Sequence, residues 1–204
     1  PLDVAASHGG PLIRDDEDYD FAGSPCVEFL HRAKEQGSAR YIGITGKDAR
    51  RLERIIAAVE IDSMMIAHQY NPILRNAARY LLPTTEGKGV GVAGGAMFLK
   101  GWLAVPQTQW SDERPDWMND EFYDAYFGYL DIQSQSGIPL HELTLRWIHA
   151  ETRIKSIVTG FADRPEVEAN IEAIEKGPLP SDLHEAIEAI GIVQPLYYQK
   201  RTEL

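Results

Sequence analysis

Cysteine, long apolar runs and an excess of basic charge are all missing from this sequence. The single cysteine, Cys26, cannot form an internal disulfide, which is typical of a reducing compartment. No apolar run approaches the about 20 residues that cross a bilayer, and no segment has the pattern of a signal peptide. The 20 Lys and Arg residues are outnumbered by 31 Asp and Glu residues, and the net charge of −11 argues against nucleic-acid binding. We therefore expect a soluble, cytoplasmic protein with neither a nucleic-acid nor a membrane partner.

Two common site motifs are missing as well. The histidines show no HxH or HExxH spacing, so we expect no metal site. No G-x-G-x-x-G phosphate turn follows an early strand, as an open dinucleotide-binding sheet would require. Residues 87–95 are rich in glycine, but they lie in and around a predicted strand. The absence of this phosphate turn weighs against an open doubly wound sheet.

Apolar runs alternate with amphipathic segments along most of the chain. Strands are predicted at residues 2–8, 41–45, 64–67, 89–93 and 154–158. Helices are predicted from Ser24 to Gly37, from Asp163 onward, and over residues 52–59, 72–82, 120–135, 139–151 and 181–190. This order favours a parallel α/β sheet covered on both faces, either open or closed into a barrel.

Local signals refine several of these helices. Ser24 and Pro25 are typical of a helix start, and Asp163 with Glu166 forms a capping-box pattern. Helical spacing predicts a buried stripe on the first helix: Cys26, Phe29, Leu30 and Ala33. A second stripe is predicted on the next helix: Leu52, Ile55, Ile56 and Val59. Residues 105–119 are polar and irregular, which indicates a long loop.

The first apolar segment ends in a histidine, His8. An ionisable side chain at the carboxyl end of a strand is how an α/β barrel presents a catalytic group. Five strand-helix units cannot close an eight-stranded barrel, so we expect residues 1–204 to form part of one domain. The missing units are expected upstream, in about 80–120 further residues.

Several segments, in order and spacing, resemble the aldo-keto reductases. They are Leu2-Asp3 with His8, residues 40–46, Gln69-Tyr70-Asn71, residues 143–147, residues 157–160, and Asn170 ten positions after Gly160. Residues 94–101 and 177–180 are most similar to the sugar and pyridoxal dehydrogenase branch of that family. The resemblance extends from the fourth barrel strand to the helix after the eighth.

The resemblance implies a (β/α)8 barrel that binds NAD or NADP across the carboxyl ends of its strands. Such an enzyme transfers hydride between nicotinamide and a carbonyl or alcohol carbon of a small substrate, here an aldose or a related compound. The family's tyrosine proton donor, with its lysine and aspartate, belongs to strands that precede this sequence. His8 matches the histidine that orients the substrate carbonyl. Because His8 cannot perform the reaction without the tyrosine, lysine and aspartate, the chain alone is expected to be inactive. The implied cofactor-binding residues are Thr45, Gly46, Gly94, Gly95, Gly160, Phe161, Ala162 and Asn170.

This sequence departs from the family pattern at several of these positions. Thr45-Gly46 replaces the usual Ser-Asn pair, and Ala67 replaces a glutamine that would contact the nicotinamide. Gly95 stands where many members place a stacking aromatic residue. Glu166 stands where NADP-preferring members often place arginine, and a carboxylate there repels a 2′-phosphate by roughly 1 kcal/mol. NAD is therefore weakly favoured over NADP.

Other interpretations remain open. The chain could belong to a non-catalytic barrel that acts as a subunit or binder, or it could pair with another chain as a homo-oligomer or with a separate N-terminal segment. His68 and Gln69 lie at a strand end, facing either the pocket or structural partners. Three tryptophans within or just before the irregular region line a substrate loop or pack locally: Trp102, Trp110 and Trp117. Cys26 is expected in the core.

Overall fold

A four-stranded parallel sheet forms the centre of the fold. The computed structural model describes residues 20–194, so the predicted strand with His8 and the C-terminal tail lie outside the described residues. The strands follow one another in sheet order β1-β2-β3-β4. Their bounds are β1 (Gly43–Gly46), β2 (Ser63–Ala67), β3 (Gly91–Gly95) and β4 (Ile154–Val158). The predicted parallel sheet is confirmed, with boundaries shifted by one or two residues.

Seven α-helices connect and cover these strands in the described part of the chain. They are α1 (Pro25–Glu35), α2 (Ala49–Ala58), α3 (Leu82–Lys88), α4 (Asp120–Ser136), α5 (Leu140–His149), α6 (Arg164–Glu175) and α7 (Ser181–Ile190). A short π-helix spans Ala77–Leu81 and a 3-10 turn spans Thr108–Ser111. Polar side chains accept a backbone N–H at the starts of four helices: Ser24, Asp48, Asn119 and Asp163. The predicted caps at Ser24 and Asp163 are therefore confirmed.

The two faces of the sheet differ sharply in burial. Ile44, Met64 and Val92 lie on the face covered by helices and are buried. Thr45, Met65 and Ala93 alternate with them on the opposite face and are only half-buried. The amino-terminal halves of the four strands, together with Cys26 and Leu30 of α1, line a cavity of about 620 Å³. The expectation that both faces are covered is therefore wrong within residues 20–194, whereas the inner face of a partial barrel would look like this.

The stripe predicted on α1 is also wrong. Val27 is the buried residue of this helix, whereas Phe29 is 67% exposed and Cys26 is half-buried at the cavity wall. Helical spacing identifies an apolar side of a helix, but burial also requires an element to cover it, and no described element covers Phe29. The stripe on α2 is confirmed, because its four residues are buried in the core.

The third helix begins later than predicted and is less regular. Asn71 Oδ1 accepts the N–H groups of Ile73 and Leu74 at 3.0 and 2.9 Å, so its side chain holds a turn where a helix was expected. Helical structure then starts with the π-helix and continues into α3, where Pro83 lies in the first turn. Proline has no N–H to donate, which suits the start of a new helix and disturbs the hydrogen-bond ladder before it.

Two buried charged groups join distant parts of the chain. The Arg75 guanidinium lies 3.8 Å from the Trp147 ring centroid and donates hydrogen bonds to the carbonyls of Asn71 and Ile187, the latter at 2.9 Å. Glu142 of α5 accepts from Arg146 and Lys176 at 2.9 and 2.6 Å. These contacts connect α7 to the turn after β2, and α5 to the end of α6.

Candidate active site

The carboxyl ends of the four strands meet at one edge of the sheet. In the parallel register Gly46 lies beside Ile66, Ala67 beside Gly95, and Gly95 beside Val158. The predicted cofactor residues at the ends of β1, β3 and β4 therefore share this edge. Active sites of α/β barrels are built at the same edge, from the loops that follow the strands.

Thr45 and Gly46 have different surroundings although they are neighbours. Thr45 lies in the register of the half-buried face and lines the cavity. Gly46 lies in the register of the helix-covered face, where an added Cβ would sit 3.1 Å from a methyl carbon of Leu52. Thr45 can offer its hydroxyl to a ligand in the cavity, whereas the side-chain space at Gly46 is closed by α2.

Gly94 and Gly95 also lie on opposite faces of the sheet. A Cβ at Gly94 would overlap Met97, so this glycine permits close packing on the helix-covered face. Gly95 shares the register of the cavity-lining Ala93, and a Cβ there would lie 3.1 Å from the Met65 sulfur. The structure thus brings Thr45 and Gly95 onto one face and places Gly46 and Gly94 on the other.

The remaining predicted cofactor-binding residues lie before and within α6. Gly160, Phe161 and Ala162 are exposed, and Asn170 is half-buried farther along the helix. Asp163 Oδ1 accepts from Glu166 N at 3.0 Å, and Glu166 Oε2 accepts from Ala162 N at 2.7 Å. The predicted pairing of Asp163 with Glu166 at this helix start is confirmed, with Glu166 bonded to the N–H of Ala162, the residue just before the cap. Two carboxylates at this helix start disfavour an additional negative charge.

His68 follows β2 and is the most perturbed histidine of the site. It is 9% exposed, and its backbone is left-handed, with φ of 64°. Burial, followed by the charges of Lys47 and Lys100, lowers the pKa of His68 to about 4. The imidazole is therefore neutral at physiological pH. Gln69, in contrast, accepts from Asn76 Nδ2 at 2.9 Å, which favours a structural role for that residue.

Backbone strain is concentrated at this edge of the sheet. Residues with a Cβ rarely adopt positive φ, and such strain clusters at functional sites. In the described part of the chain, non-glycine residues with positive φ are confined to two adjacent strand ends: His68, Ala96, Leu99 and Lys100. Sequence reasoning singled out His68 but not the conformation of the turn after β3, because alanine, leucine and lysine do not favour positive φ.

Trp102, Trp110 and Trp117 pack against one another. Trp102 and Trp117 stack with ring centroids 5.0 Å apart, and Trp110 meets them edge-on at 5.1 and 5.8 Å. Tyr126 of α4 accepts from Gln107 N and donates to the Trp102 carbonyl. This geometry favours local packing over a row of exposed substrate-binding rings.

Residues 20–194 contain neither a group of metal-binding side chains nor a membrane-spanning helix. No three His, Cys, Asp or Glu side chains are grouped closely enough to hold a metal ion. None of the helices found there has both the length and the apolar character of a membrane span.

The family of this chain follows from a match over most of its length. The aldo/keto reductase family model matches residues 14–192, which is most of the sequence. The chain belongs to the aldo/keto reductase family. The resemblance seen in the sequence is therefore confirmed, and the parallel sheet is consistent with part of a (β/α)8 barrel of this family.

Two curated relatives of this chain are sugar dehydrogenases by name. The chain is 23% identical to D-threo-aldose 1-dehydrogenase of a Pseudomonas species over 157 residues, which cover 76% of the chain and 47% of the relative. It is 24% identical to L-galactose dehydrogenase of Arabidopsis thaliana over 177 residues, which cover 85% of the chain and 54% of the relative. The chain thus spans about half the length of these relatives.

Solved structures show the same fold. The holo form of aldo-keto reductase AKR11C1 from Bacillus halodurans superposes with a TM-score of 0.64 at 23% identity, over 87% of this chain and 60% of that one. The thermostable aldo-keto reductase Tm1743, solved with the inhibitor epalrestat, gives a TM-score of 0.59 at 16% identity, over 86% and 57% of the two chains.

Proposed function

We propose that this chain is the carboxyl-terminal part of an NAD(P)-dependent oxidoreductase that interconverts a carbonyl and an alcohol on a small substrate. The observation that carries this proposal is the convergence of the carboxyl ends of four parallel strands on one edge, in a chain that belongs to the aldo/keto reductase family. The names of the two curated relatives support an aldose or a related sugar as the substrate.

The residues present fit one end of a nicotinamide dinucleotide better than the other. Thr45 supplies a hydroxyl on the cavity face, and Gly95 lies on the same face of the sheet, next to the Met65 side chain. Around Gly160 nothing lies within 4 Å of an added Cβ, so the backbone there is accessible to a ligand. When bound, the dinucleotide would accept or donate the hydride. The carboxylates of Asp163 and Glu166 oppose a further phosphate, which favours NAD over NADP.

We assign His8 the orientation of the substrate oxygen. A neutral imidazole that donates a hydrogen bond to that oxygen would polarise the carbonyl and stabilise developing negative charge. The tyrosine, lysine and aspartate of the family would come from further strand-helix units. The outer edges of β1 and β4 have no neighbouring strand among the described residues, so both can pair with such units.

The second candidate is a non-catalytic family member that binds a partner. The specific observation in its favour is the engaged Ala162 N–H beside two carboxylates, because this helix start is poorly suited to an anion. The two candidates differ in whether the protein binds a dinucleotide at all.

Titration of the full-length protein with NADH and NADPH, followed by the fluorescence of the bound nicotinamide, tests the proposal. We expect saturable binding of NADH, with NADPH weaker. Replacement of His8 by alanine should lower kcat by about 100-fold or more and leave NADH affinity nearly unchanged. His149→Ala, at an exposed position at the end of α5, is the matched control and should retain activity. Absence of binding by both dinucleotides would refute the proposal in favour of the second candidate.

A further inference from the structure

Four carboxamide side chains form a connected set of hydrogen bonds beside the carboxyl edge of the sheet. Asn76 Nδ2 donates to Gln69 Oε1 at 2.9 Å and to the Gln194 carbonyl oxygen at 2.6 Å. Asn119 Nδ2 donates to Gln194 Oε1 at 2.7 Å. Gln69, Asn76 and Gln194 are buried, so water cannot easily replace these partners. The set therefore has a defined geometry.

This carboxamide set joins three parts of the chain that are far apart in sequence. Gln69 is the second residue after β2, in the turn formed by residues 68–76. Ile192 makes two backbone hydrogen bonds to this turn, each 2.8 Å long, and thereby holds the segment that ends in Gln194 alongside it. Asn119 is the cap of α4. Gln194 therefore connects the turn after β2 to the start of α4.

The long loop between β3 and α4, residues 96–119, is attached to that turn at both of its ends. At its start, His68 N donates to Gly95 O at 3.1 Å. At its end, Asn119 is held through Gln194. The three stacked tryptophans fill the loop between these attachments. Because the loop is packed internally, loss of one attachment would displace it as a unit.

We propose that Gln194 is a positioning residue whose carboxamide, acting through Asn119, holds the long loop beside a bound dinucleotide and slows its release. The proposed function places the dinucleotide beside Thr45 and Gly95, and the loop begins directly after Gly95. A loop that is in place for only part of the time weakens binding in proportion to that fraction. Gln194 itself need not contact the ligand. This inference rests on the proposed oxidoreductase function.

The test uses the full-length protein and two variants that break the same hydrogen bond. Gln194→Met keeps the side-chain length and removes the acceptor, whereas Asn119→Ser removes the donor and keeps a hydroxyl that can cap α4. Stopped-flow release of NADH should be about three- to tenfold faster in each variant, with the association rate unchanged. The double variant should release NADH no faster than either single variant, because both changes remove one interaction. Hydrogen–deuterium exchange should be faster in residues 96–119 of all three.

Gln133→Met is the matched control, because it removes a comparable hydrogen bond, 3.0 Å from Gln133 Nε2 to Ile138 O, at the other end of α4. It should release NADH at the rate of the unmodified protein. Unchanged exchange in residues 96–119 of Gln194→Met would overturn the attachment. Faster exchange throughout the chain, with α5 included, would indicate a purely structural residue and would overturn the positioning role.

The NADH measurement separates this inference from the proposed function. Faster exchange in the loop with unchanged NADH release would overturn the link between Gln194 and the dinucleotide, although the protein still binds NADH. If the unmodified protein binds no NADH, the oxidoreductase function and that link are both refuted. Exchange in residues 96–119 then still supports or overturns the attachment of the loop by Gln194.

Discussion

Replacement of Arg75 by methionine should destabilise the fold severely. The guanidinium is 7% exposed and lies at the junction of the turn after β2, α5 and α7. Burial lowers the pKa of Arg75 to about 10, so the group remains charged at neutral pH. Methionine retains much of the apolar volume but can donate no hydrogen bond. The variant therefore isolates the polar contribution of this side chain.

The magnitude follows from the contacts that disappear. Two hydrogen bonds from a charged donor stabilise by about 1.5–3 kcal/mol each, and a desolvated cation–π contact adds about 2 kcal/mol. The 3.8 Å ion pair with half-exposed Glu188 adds little. Part of this sum is offset because the variant no longer buries a charge. We expect a net loss of about 3–5 kcal/mol in the free energy of unfolding.

Urea unfolding followed by circular dichroism measures this loss. With a denaturant dependence of about 2–3 kcal/mol per molar, the midpoint should fall by about 1.5 M. Arg79→Met, one turn farther along at an exposed position, is the matched control and should stay within about 0.5 kcal/mol of the unmodified protein. Equal midpoints for the two variants would refute the reasoning.

Three further predictions concern α4, α5 and α6. Burial alone would raise the pKa of Glu142, but hydrogen bonds from its lysine and arginine partners hold it below the ordinary 4.5. Its stabilisation is therefore present above pH 4.5 and is lost as pH falls through the lower pKa of the folded state. The melting temperatures of Glu142→Gln and of the unmodified protein should converge as the pH falls below 4.5. A difference in melting temperature that stays the same at every pH would contradict this linkage. Tyr129→Phe removes a buried 2.8 Å hydrogen bond to Thr144 and should cost about 1–2 kcal/mol by urea unfolding, with no change as the opposing result. Asp163→Ala should cost about 1 kcal/mol through the lost cap, measured in the same way, and a more stable variant would rule out the cap.

The elements that local signals determine were predictable from the sequence. The α2 stripe, the Ser24 cap and the Asp163–Glu166 capping box depend on residues within one or two turns of each other, and all three are confirmed. The exposure of Phe29 was not predictable in the same way, because it depends on which distant element covers α1. The predicted start of the third helix was wrong, because the Asn71 side chain accepts the N–H groups of Ile73 and Leu74 and holds a turn there.

The candidate site was predictable at the level of strand ends and not of side-chain direction. Parallel pairing alone brings the ends of β1, β3 and β4 to one edge. The register then separates Thr45 and Gly95 from Gly46 and Gly94, and a shift of one residue would reverse that division. The left-handed conformation of Leu99 and Lys100 was not predictable, because leucine and lysine rarely adopt positive φ.

Hydrogen–deuterium exchange of the full-length protein with and without NADH tests the central claim most directly. The account predicts that NADH slows exchange at the ends of β1, β3 and β4, in residues 43–46, 91–101 and 158–162, and leaves the buried helix α5 unchanged. NADH binding that protects none of these segments, or no binding at all, would contradict it.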